Sequence, residues 1–254
     1  MSEYNAFKVE GFTSANGVVG TRETTYGLAN SVWRYFPVKE LLQDPGIGSV
    51  LRDDFFATDN TNNYTLVTDS GGTAVIADAE DGILRITNNG TDNDESYLSS
   101  KAESWIFNDR PIAFEAQVTA TGDHNFILGL SDTVGANFLQ DSEAGPAASY
   151  DGAVFFVDGG AYWKFETSNA GTQVTNATFT GYTSAASIRL GFIYDPNDGT
   201  TGKITPFVNG VAGTTHDITI SGLEEMHVVF GAKNKTAAAA VLDVDYFQIA
   251  KVRA

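Results

Sequence analysis

The stretch Pro111-Ile112-Ala113-Phe114-Glu115-Ala116-Gln117-Val118-Thr119 shows the alternation on which the fold assignment depends. Its apolar face consists of Ile112, Phe114, Ala116 and Val118, and its other face of Ala113, Glu115 and Gln117. Successive side chains of a β-strand point to opposite faces of the sheet. The stretch therefore predicts a strand with one face in a hydrophobic core.

Short segments of the same kind recur along the chain and are separated by polar turns. The predicted strands are 64–68, 73–78, 82–87, 111–119, 125–131, 151–157, 160–166, 186–194, 203–208, 216–220, 226–233 and 240–250. Turn sequences such as Asp158-Gly159-Gly160 and Val208-Asn209-Gly210 are typical of hairpins. Because no crossover helices separate these strands, we expect antiparallel sheets packed face to face, that is, an all-β sandwich.

The charge of the chain is unevenly distributed. The net charge is −17, yet residues 1–52 contain five basic and five acidic groups, so the whole excess lies in residues 53–254. Such an acidic surface repels phosphates, which argues against nucleic acid and anionic membranes as partners. The charge boundary predicts two parts, an arm over 1–52 and a β-sandwich over 53–254.

The predicted arm is broken by glycines and lacks sustained periodicity. Residues 38–44 could form about two helical turns, which Pro45-Gly46 would end. An aromatic cluster precedes them and supplies the candidate anchors Trp33, Arg34, Tyr35 and Phe36. Two interpretations stay open: the arm lies across its own domain, or it docks on a neighbouring subunit with these side chains in pockets.

The chain contains no cysteine, which excludes disulfides, thiolate metal sites and a cysteine nucleophile. The N-terminus shows neither the basic flank nor the apolar stretch of a secretion signal. We therefore expect synthesis and folding in the cytoplasm.

Four segments, taken in order, resemble the concanavalin-like (laminin-G-like) jelly roll. They are 126–131, 188–194, 204–211 around an Asn-Gly hairpin, and 242–249, which carries aspartates and an aromatic residue. Asp53-Asp54-Phe55-Phe56 is similar to the usual first strand of such domains. The resemblance covers residues 53–251 and implies a jelly-roll fold rather than any one activity.

The whole chain resembles capsid decoration (cement) proteins of tailed bacteriophages: a glycine-broken segment, an aromatic patch and one acidic jelly roll. This resemblance implies a structural protein on the outer capsid surface of a virion, made in the host cytoplasm. It further implies a homotrimer whose partner is the major capsid protein. A lectin-like carbohydrate-binding module, for example on a phage tail, is the alternative.

No catalytic motif supports an enzyme. A glycosidase needs a pair of acidic residues. The nearest candidates are Asp243-Val244-Asp245, on the closing strand, and Asp92-Asn93-Asp94-Glu95, which we interpret as a solvated loop. In the closing strand, Leu242, Val244, Tyr246 and Gln248 are expected on the face opposite Asp243, Asp245 and Phe247. The three histidines, His124, His216 and His227, lack the spacing of metal ligands.

No metal or cofactor site is expected, although calcium is the one ion that acidic loops could bind. The candidate loops are 59–63, 92–95 and 195–198, and turns stabilised by their own Asp and Asn side chains are the simpler interpretation.

For carbohydrate binding, the local aromatic cluster offers Tyr162 and Trp163 as contacts. The two residues point to opposite faces of a strand, so only one can face outward, and Trp163 shares its face with Phe165. A core role for Trp163 and Phe165 is the competing interpretation. The stretch 131–150 lacks periodicity and could border a groove or contact another subunit.

Overall fold

The computed structural model describes residues 31–36, 44–55, 63–69, 71–77, 82–141, 144–176 and 179–253. A 3₁₀ helix, Val32–Tyr35, comes first, and sixteen strands follow in these residues. The strands are β1 (Gly48–Asp53), β2 (Tyr64–Thr68), β3 (Thr73–Ala77), β4 (Ile83–Thr87), β5 (Glu95–Ser100), β6 (Ile112–Thr121), β7 (Asn125–Ser131), β8 (Gly152–Asp158), β9 (Lys164–Asn169), β10 (Thr172–Asn176), β11 (Ile188–Asp195), β12 (Thr201–Val208), β13 (Val211–Ala212), β14 (His216–Thr219), β15 (His227–Lys233) and β16 (Val241–Val252).

The strands form two antiparallel sheets packed face to face. The nine-stranded sheet has the order β13-β12-β11-β6-β16-β4-β3, with β1 also on β16 and β14 also on β12. The seven-stranded sheet has the order β10-β9-β8-β7-β15-β5-β2. This arrangement confirms the predicted β-sandwich. In the described residues no helix is long and apolar enough to cross a membrane.

The core lies between the two sheets and contains the apolar face predicted for β6. Phe114 is fully buried and its ring stacks on Phe192 of β11 at 5.4 Å between centroids. Phe165, from β9 in the opposite sheet, lies 6.0 Å from the same Phe192 ring. Aromatic side chains from both sheets thus fill the space between them, which favours burial of large apolar area.

The closing strand β16 differs from its predicted alternation because it contains a β-bulge. Val244 lies opposite Val118 of β6, but the next pair is Tyr246 with Gln117, so Asp245 is an extra residue. An extra residue moves every later side chain to the other face. Phe247 is consequently in the core, whereas Tyr246 and Gln248 were expected there, on the face of Leu242 and Val244.

The predicted Asn-Gly hairpin joins β12 to β13. Asn209 and Gly210 both have positive φ, 49° and 75°, as a two-residue type I′ turn requires. Glycine takes this conformation without a steric cost, and asparagine is among the few other residues that tolerate it.

The N-terminal segment, residues 31–36, lies on the outer face of the nine-stranded sheet. Val32, Trp33 and Phe36 pack there in one cluster with Ala113, Phe207 and Ala250. Strand β1 begins at Gly48, so pairing with β16 starts five residues before the predicted boundary at residue 53. Residues 37–43, and with them most of the helix predicted over 38–44, lie outside the described residues.

Candidate functional site

The outer face of the seven-stranded sheet is covered by the connection between β7 and β8. Its described residues, 132–141 and 144–150, are here termed the strap. Phe138, Leu139 and Tyr150 of the strap are almost fully buried against this face. The sheet contributes Tyr97, Ile127, Val154, Phe156 and Val229 to the same apolar cluster. The stretch that could have bordered a groove therefore lies over its own sheet and closes this face.

A buried ion cluster holds the middle of the strap. The Lys233 side chain, on β15, is only 1% exposed, and its Nζ lies 2.6 Å from Asp141 Oδ1 and 3.4 Å from Glu95 Oε2. The same ammonium donates to Asn137 Oδ1 at 3.0 Å and to the Leu139 carbonyl at 2.9 Å. Four oxygen atoms surround the buried ammonium and compensate the cost of burying its charge. The cluster therefore stabilises the position of the strap.

The strap is also tied to Glu95, directly through Asn137 and indirectly through the Tyr97 hydroxyl. The Asn137 N–H donates to Glu95 Oε1 at 2.6 Å. The Tyr97 hydroxyl donates to Glu95 Oε2 at 2.9 Å and accepts from the Leu139 N–H at 2.9 Å. Burial, together with the nearby Glu95 carboxylate, raises the pKa of Tyr97 well above its usual value, so this hydroxyl stays protonated.

A second buried carboxylate holds the end of the strap. Glu166 on β9 accepts from the Tyr150 hydroxyl at 3.0 Å, the Gln173 amide at 2.9 Å and the Thr175 hydroxyl at 2.5 Å. The Gln173 amide also donates to the Ala147 carbonyl at 2.8 Å. Burial raises the pKa of Glu166, although these hydrogen bonds act in the opposite direction.

Glu95 and Glu166 do not form a catalytic pair. Four strand spacings separate β5 from β9, which corresponds to about 19 Å across the sheet. Glycosidase carboxylates lie within about 10 Å of each other. The interpretation of 92–95 as a solvated loop holds for the exposed turn residues Asp92 and Asn93. It is wrong for Asp94 and Glu95, which are buried, and Glu95 begins β5. The apolar pair Tyr97-Leu98 between Ser96 and Ser99 was the available signal of a strand.

The candidate anchors of the N-terminal segment have different environments. Trp33 and Phe36 are buried on the chain's own sheet, and their rings meet edge to face at 6.1 Å. Tyr35 is 54% exposed and its ring lies 5.5 Å from that of Phe207. The backbone of Arg34 belongs to the 3₁₀ helix. A contact of this cluster with another subunit stays a prediction.

The aromatic pair proposed for carbohydrate contact is split between surface and core. Trp163 is fully buried in the main core beside Phe165, so it is not available to a sugar. Tyr162 is half-buried and forms an isolated antiparallel bridge with Thr183. Of the two residues, only Tyr162 keeps its predicted role open.

The acidic pair on the closing strand has structural partners. Asp243 binds the Arg85 guanidinium through both oxygens, at 2.7 and 2.8 Å, and Asp245 accepts from the Gln117 amide at 2.8 Å. In the loop 195–198, both Asp195 and Asp198 accept backbone N–H bonds from residues two or three positions later. The described residues contain no group of three His, Asp or Glu that could hold a metal ion. Most of the loop 59–63 lies outside them.

An open cleft of about 450 Å³ lies at the edge of the sandwich where β1, β2 and residues 100–105 meet. Its described lining includes Arg52, Asp53, Asn63, Tyr64, Lys101 and Trp105. Asp53 accepts from the Tyr64 hydroxyl at 2.7 Å and from the Phe55 N–H at 2.8 Å. These two hydrogen bonds fix the Asp53 carboxylate in one wall of the cleft. Acidic, amide, basic and aromatic residues thus line one space.

No family model and no curated protein matches the sequence. Among solved structures, the chain is similar to an endo-1,3-β-glucanase from Streptomyces sioyaensis, with 14% identity, a TM-score of 0.57, and 83% of this chain and 99% of that chain covered. It is also similar to peanut lectin, with 14% identity, a TM-score of 0.55, and coverage of 82% and 99%. The Emp46p carbohydrate recognition domain shares 14% identity, a TM-score of 0.52, and coverage of 77% and 93%. These likenesses show that the chain has the concanavalin-like jelly-roll fold.

Proposed function

We propose that this protein is a non-catalytic, lectin-like carbohydrate-binding module and that the edge cleft holds the sugar. The observation that carries the proposal is the cleft itself, whose volume suits a ligand of one or two sugar rings. Sugars need both hydrogen-bonding groups for their hydroxyls and apolar surface for their ring faces. The cleft is lined by Asn63, Arg52 and Lys101, which carry groups of the first kind. Leu51 and the largely buried Tyr64 and Trp105 line its apolar part.

The outer face of the seven-stranded sheet is closed, so we place the sugar at the edge of the sandwich and not on this face. The strap fills that face with Phe138, Leu139 and Tyr150, and a ligand there would have to displace the buried Lys233 cluster. The fold similarity to peanut lectin and to a carbohydrate recognition domain supports binding of a sugar as the function class. Non-catalytic binding fits the separation of Glu95 from Glu166.

A glycan array with the full chain, followed by titration calorimetry of the sugars it identifies, tests the proposal. Asn63→Ala and Lys101→Ala each remove a hydrogen-bonding group from the cleft and should weaken binding about tenfold, the equivalent of one hydrogen bond. Lys203→Ala is the matched control, since Lys203 is an exposed lysine on β12 that does not line the cleft.

Three results would contradict this assignment. One is the absence of binding to any arrayed sugar. Another is binding that both cleft variants leave unchanged. The third is binding lost on Tyr162→Ala alone, which would place the sugar at the β9 side of the sandwich instead.

A structural role in a tailed-phage virion is the second candidate function. It would place a homotrimer on the outer capsid surface, with residues 1–52 holding the major capsid protein. The division of charge favours it: the neutral segment can be buried against protein without unpaired ions, and the acidic body suits solvent. Mass spectrometry of purified virions tests this role. Deletion of residues 1–30 should abolish co-sedimentation with capsids, and unchanged co-sedimentation would reject these residues as the anchor.

A further inference from the structure

Strand β10 ends the seven-stranded sheet and is exposed. Within the described residues β9 is the one strand that pairs with it, so one row of its backbone N–H and carbonyl groups faces outward. Thr172, Gln173, Val174 and Thr175 are all exposed, and Val174 is 43% exposed. An edge strand with free backbone groups can accept a further strand unless charges or a proline block it.

This edge lies in the longest part of the chain that has no charged residue. Residues 167–188 contain no Asp, Glu, Lys or Arg, in a protein with 47 such residues among 254. The uncharged strap residues 144–149 lie beside it, since the Gln173 amide donates to the Ala147 carbonyl at 2.8 Å. The neutral edge, here residues 144–149, 171–176 and 179–187, therefore consists only of uncharged residues.

The opposite edge of the same sheet is different. Strand β2 is also an edge strand with an exposed apolar residue, Leu66, but Asp69 follows it directly. Arg52 and Lys101 lie on its other side, around the cleft. Charges thus surround β2, and such charges are a common means of preventing edge-to-edge association. Beside the β10 edge, Asp217 lines a pocket with Thr172 and Val174, but its charge is balanced by Lys203, whose Nζ lies 2.7 Å away.

We propose that the β10 edge pairs with the same edge of a second copy of this chain, through a two-fold axis at Val174. An antiparallel pairing centred there places Thr172 opposite Asn176 and Gln173 opposite Thr175, so only uncharged side chains face each other. The two Val174 side chains meet at the axis and become buried.

The charge of the protein is the reason for choosing a second copy as the partner. Two bodies that each carry −17 repel each other over most of their surfaces, so they can approach closely only where charge is absent. A basic partner would gain nothing at a neutral edge and would bind acidic surface instead. A stable interface buries roughly 1,200–2,000 Å², which is more than a five-residue strand supplies, so 144–149 and 179–187 take part as well.

Sedimentation velocity of the full chain over a range of concentrations tests the pairing. The wild type should form dimers that dissociate on dilution, and Val174→Lys should be monomeric because two ammonium groups would face each other at the axis. Val211→Lys is the matched control: Val211 is a 59% exposed valine on β13, an edge strand of the other sheet, and its variant should dimerise as the wild type does. Thr172→Lys is a second interface variant in case Val174→Lys melts at a lower temperature.

Ionic strength provides an independent measurement. Added salt screens the repulsion between acidic bodies, so the dimer should become tighter from 50 mM to 500 mM NaCl, on the order of tenfold in Kd. A wild type that is monomeric at every concentration, or trimeric, would overturn the proposal. So would dimers that survive both β10 variants or that weaken with salt. None of these results bears on sugar binding in the cleft, which lies at the opposite edge.

Discussion

The strap and the N-terminal segment, here called the two covers, lie over the outer faces of the two sheets, and buried carboxylates hold both. The strap is fixed on Glu95 and Glu166, whereas the N-terminal segment is fixed on Glu115 of β6. Glu115 accepts from the Ser31 hydroxyl at 3.0 Å, the Val32 N–H at 2.9 Å and the Tyr246 hydroxyl at 3.0 Å.

The two covers differ in how the buried charge is compensated. Glu95 faces a buried ammonium, Lys233, at 3.4 Å. The donors described for Glu115 are a backbone N–H and two hydroxyls, with the positive charge of Arg189 nearby. A buried ion pair is costly to break because one charge is left without a partner. A carboxylate with neutral donors can instead take up a proton. The strap should therefore respond mainly to mutation and the N-terminal segment mainly to pH.

The largest effect is expected from Lys233→Met. The variant leaves Glu95 buried without its cation and leaves Asn137 Oδ1 and the Leu139 carbonyl without a donor. Loss of one partner of a buried pair costs about 3–5 kcal/mol in free energy of unfolding. Urea denaturation followed by tryptophan fluorescence measures it.

Two variants control for the loss of a lysine. Lys203→Met breaks an exposed pair with Asp217 and should change the urea midpoint little. The double variant Glu95→Gln, Lys233→Met removes both charges and should regain part of the loss. If Lys233→Met is no less stable than Lys203→Met, the strap is not held by this ion cluster.

A somewhat smaller loss is expected from Trp33→Ala, which tests the other cover. Trp33 is 7% exposed and packs on Phe36 and on the nine-stranded sheet. Truncation of a buried tryptophan costs about 3 kcal/mol or more. Hydrogen exchange should accelerate at Val32, whose N–H is held by Glu115, and stay unchanged at Leu139 in the strap. Faster exchange at both sites would contradict independent covers.

The paired variants Tyr97→Phe and Tyr246→Phe compare the covers by one hydroxyl each. Tyr97→Phe leaves the buried Leu139 N–H without an acceptor and should cost about 1–3 kcal/mol. Tyr246→Phe removes one of three donors to Glu115 and should cost about 1 kcal/mol. Thermal denaturation of both variants at pH 7 shows which variant loses more stability. Equal losses of stability would contradict the proposed difference between the two covers.

Local patterns predicted much of the sandwich, because alternation and turn residues are properties of neighbouring positions. The segments 64–68 and 125–131 coincide with β2 and β7, and the Asn209-Gly210 turn joins β12 to β13. The bulge at Asp245 could not be predicted this way, since an extra residue is defined only against the partner strand β6.

The covers could not be predicted from local patterns for a related reason. Glu95 and Lys233 are 138 positions apart and meet because β5 and β15 are neighbours in the sheet, at a register that pairs these two residues. Val32 and Glu115 are 83 positions apart. Such contacts depend on strand order and register, and an acidic residue beside Asn and Gly looks the same in sequence whether it is solvated or buried.

The smallest effect, and the one specific to a carboxylate with neutral donors, is the pH dependence of Glu115→Gln. Burial raises the pKa of Glu115, opposed in part by its three hydrogen bonds and by Arg189. The folded protein therefore holds this proton more tightly than the unfolded chain does, and the free energy of unfolding falls as pH rises through the interval between the ordinary glutamate pKa, about 4.3, and the raised one.

Glutamine at position 115 keeps the hydrogen bonds, because its oxygen can accept from Val32 N–H while the hydroxyls of Ser31 and Tyr246 turn to accept from its amide. The variant should lose the pH-dependent fall and have a flatter profile of unfolding free energy above about pH 4.3. Glu224→Gln, at an exposed position, measures the effect of losing any one carboxylate. If the profiles of Glu115→Gln and wild type run parallel over this interval, Glu115 keeps its charge through folding. The two covers would then be held by the same kind of contact.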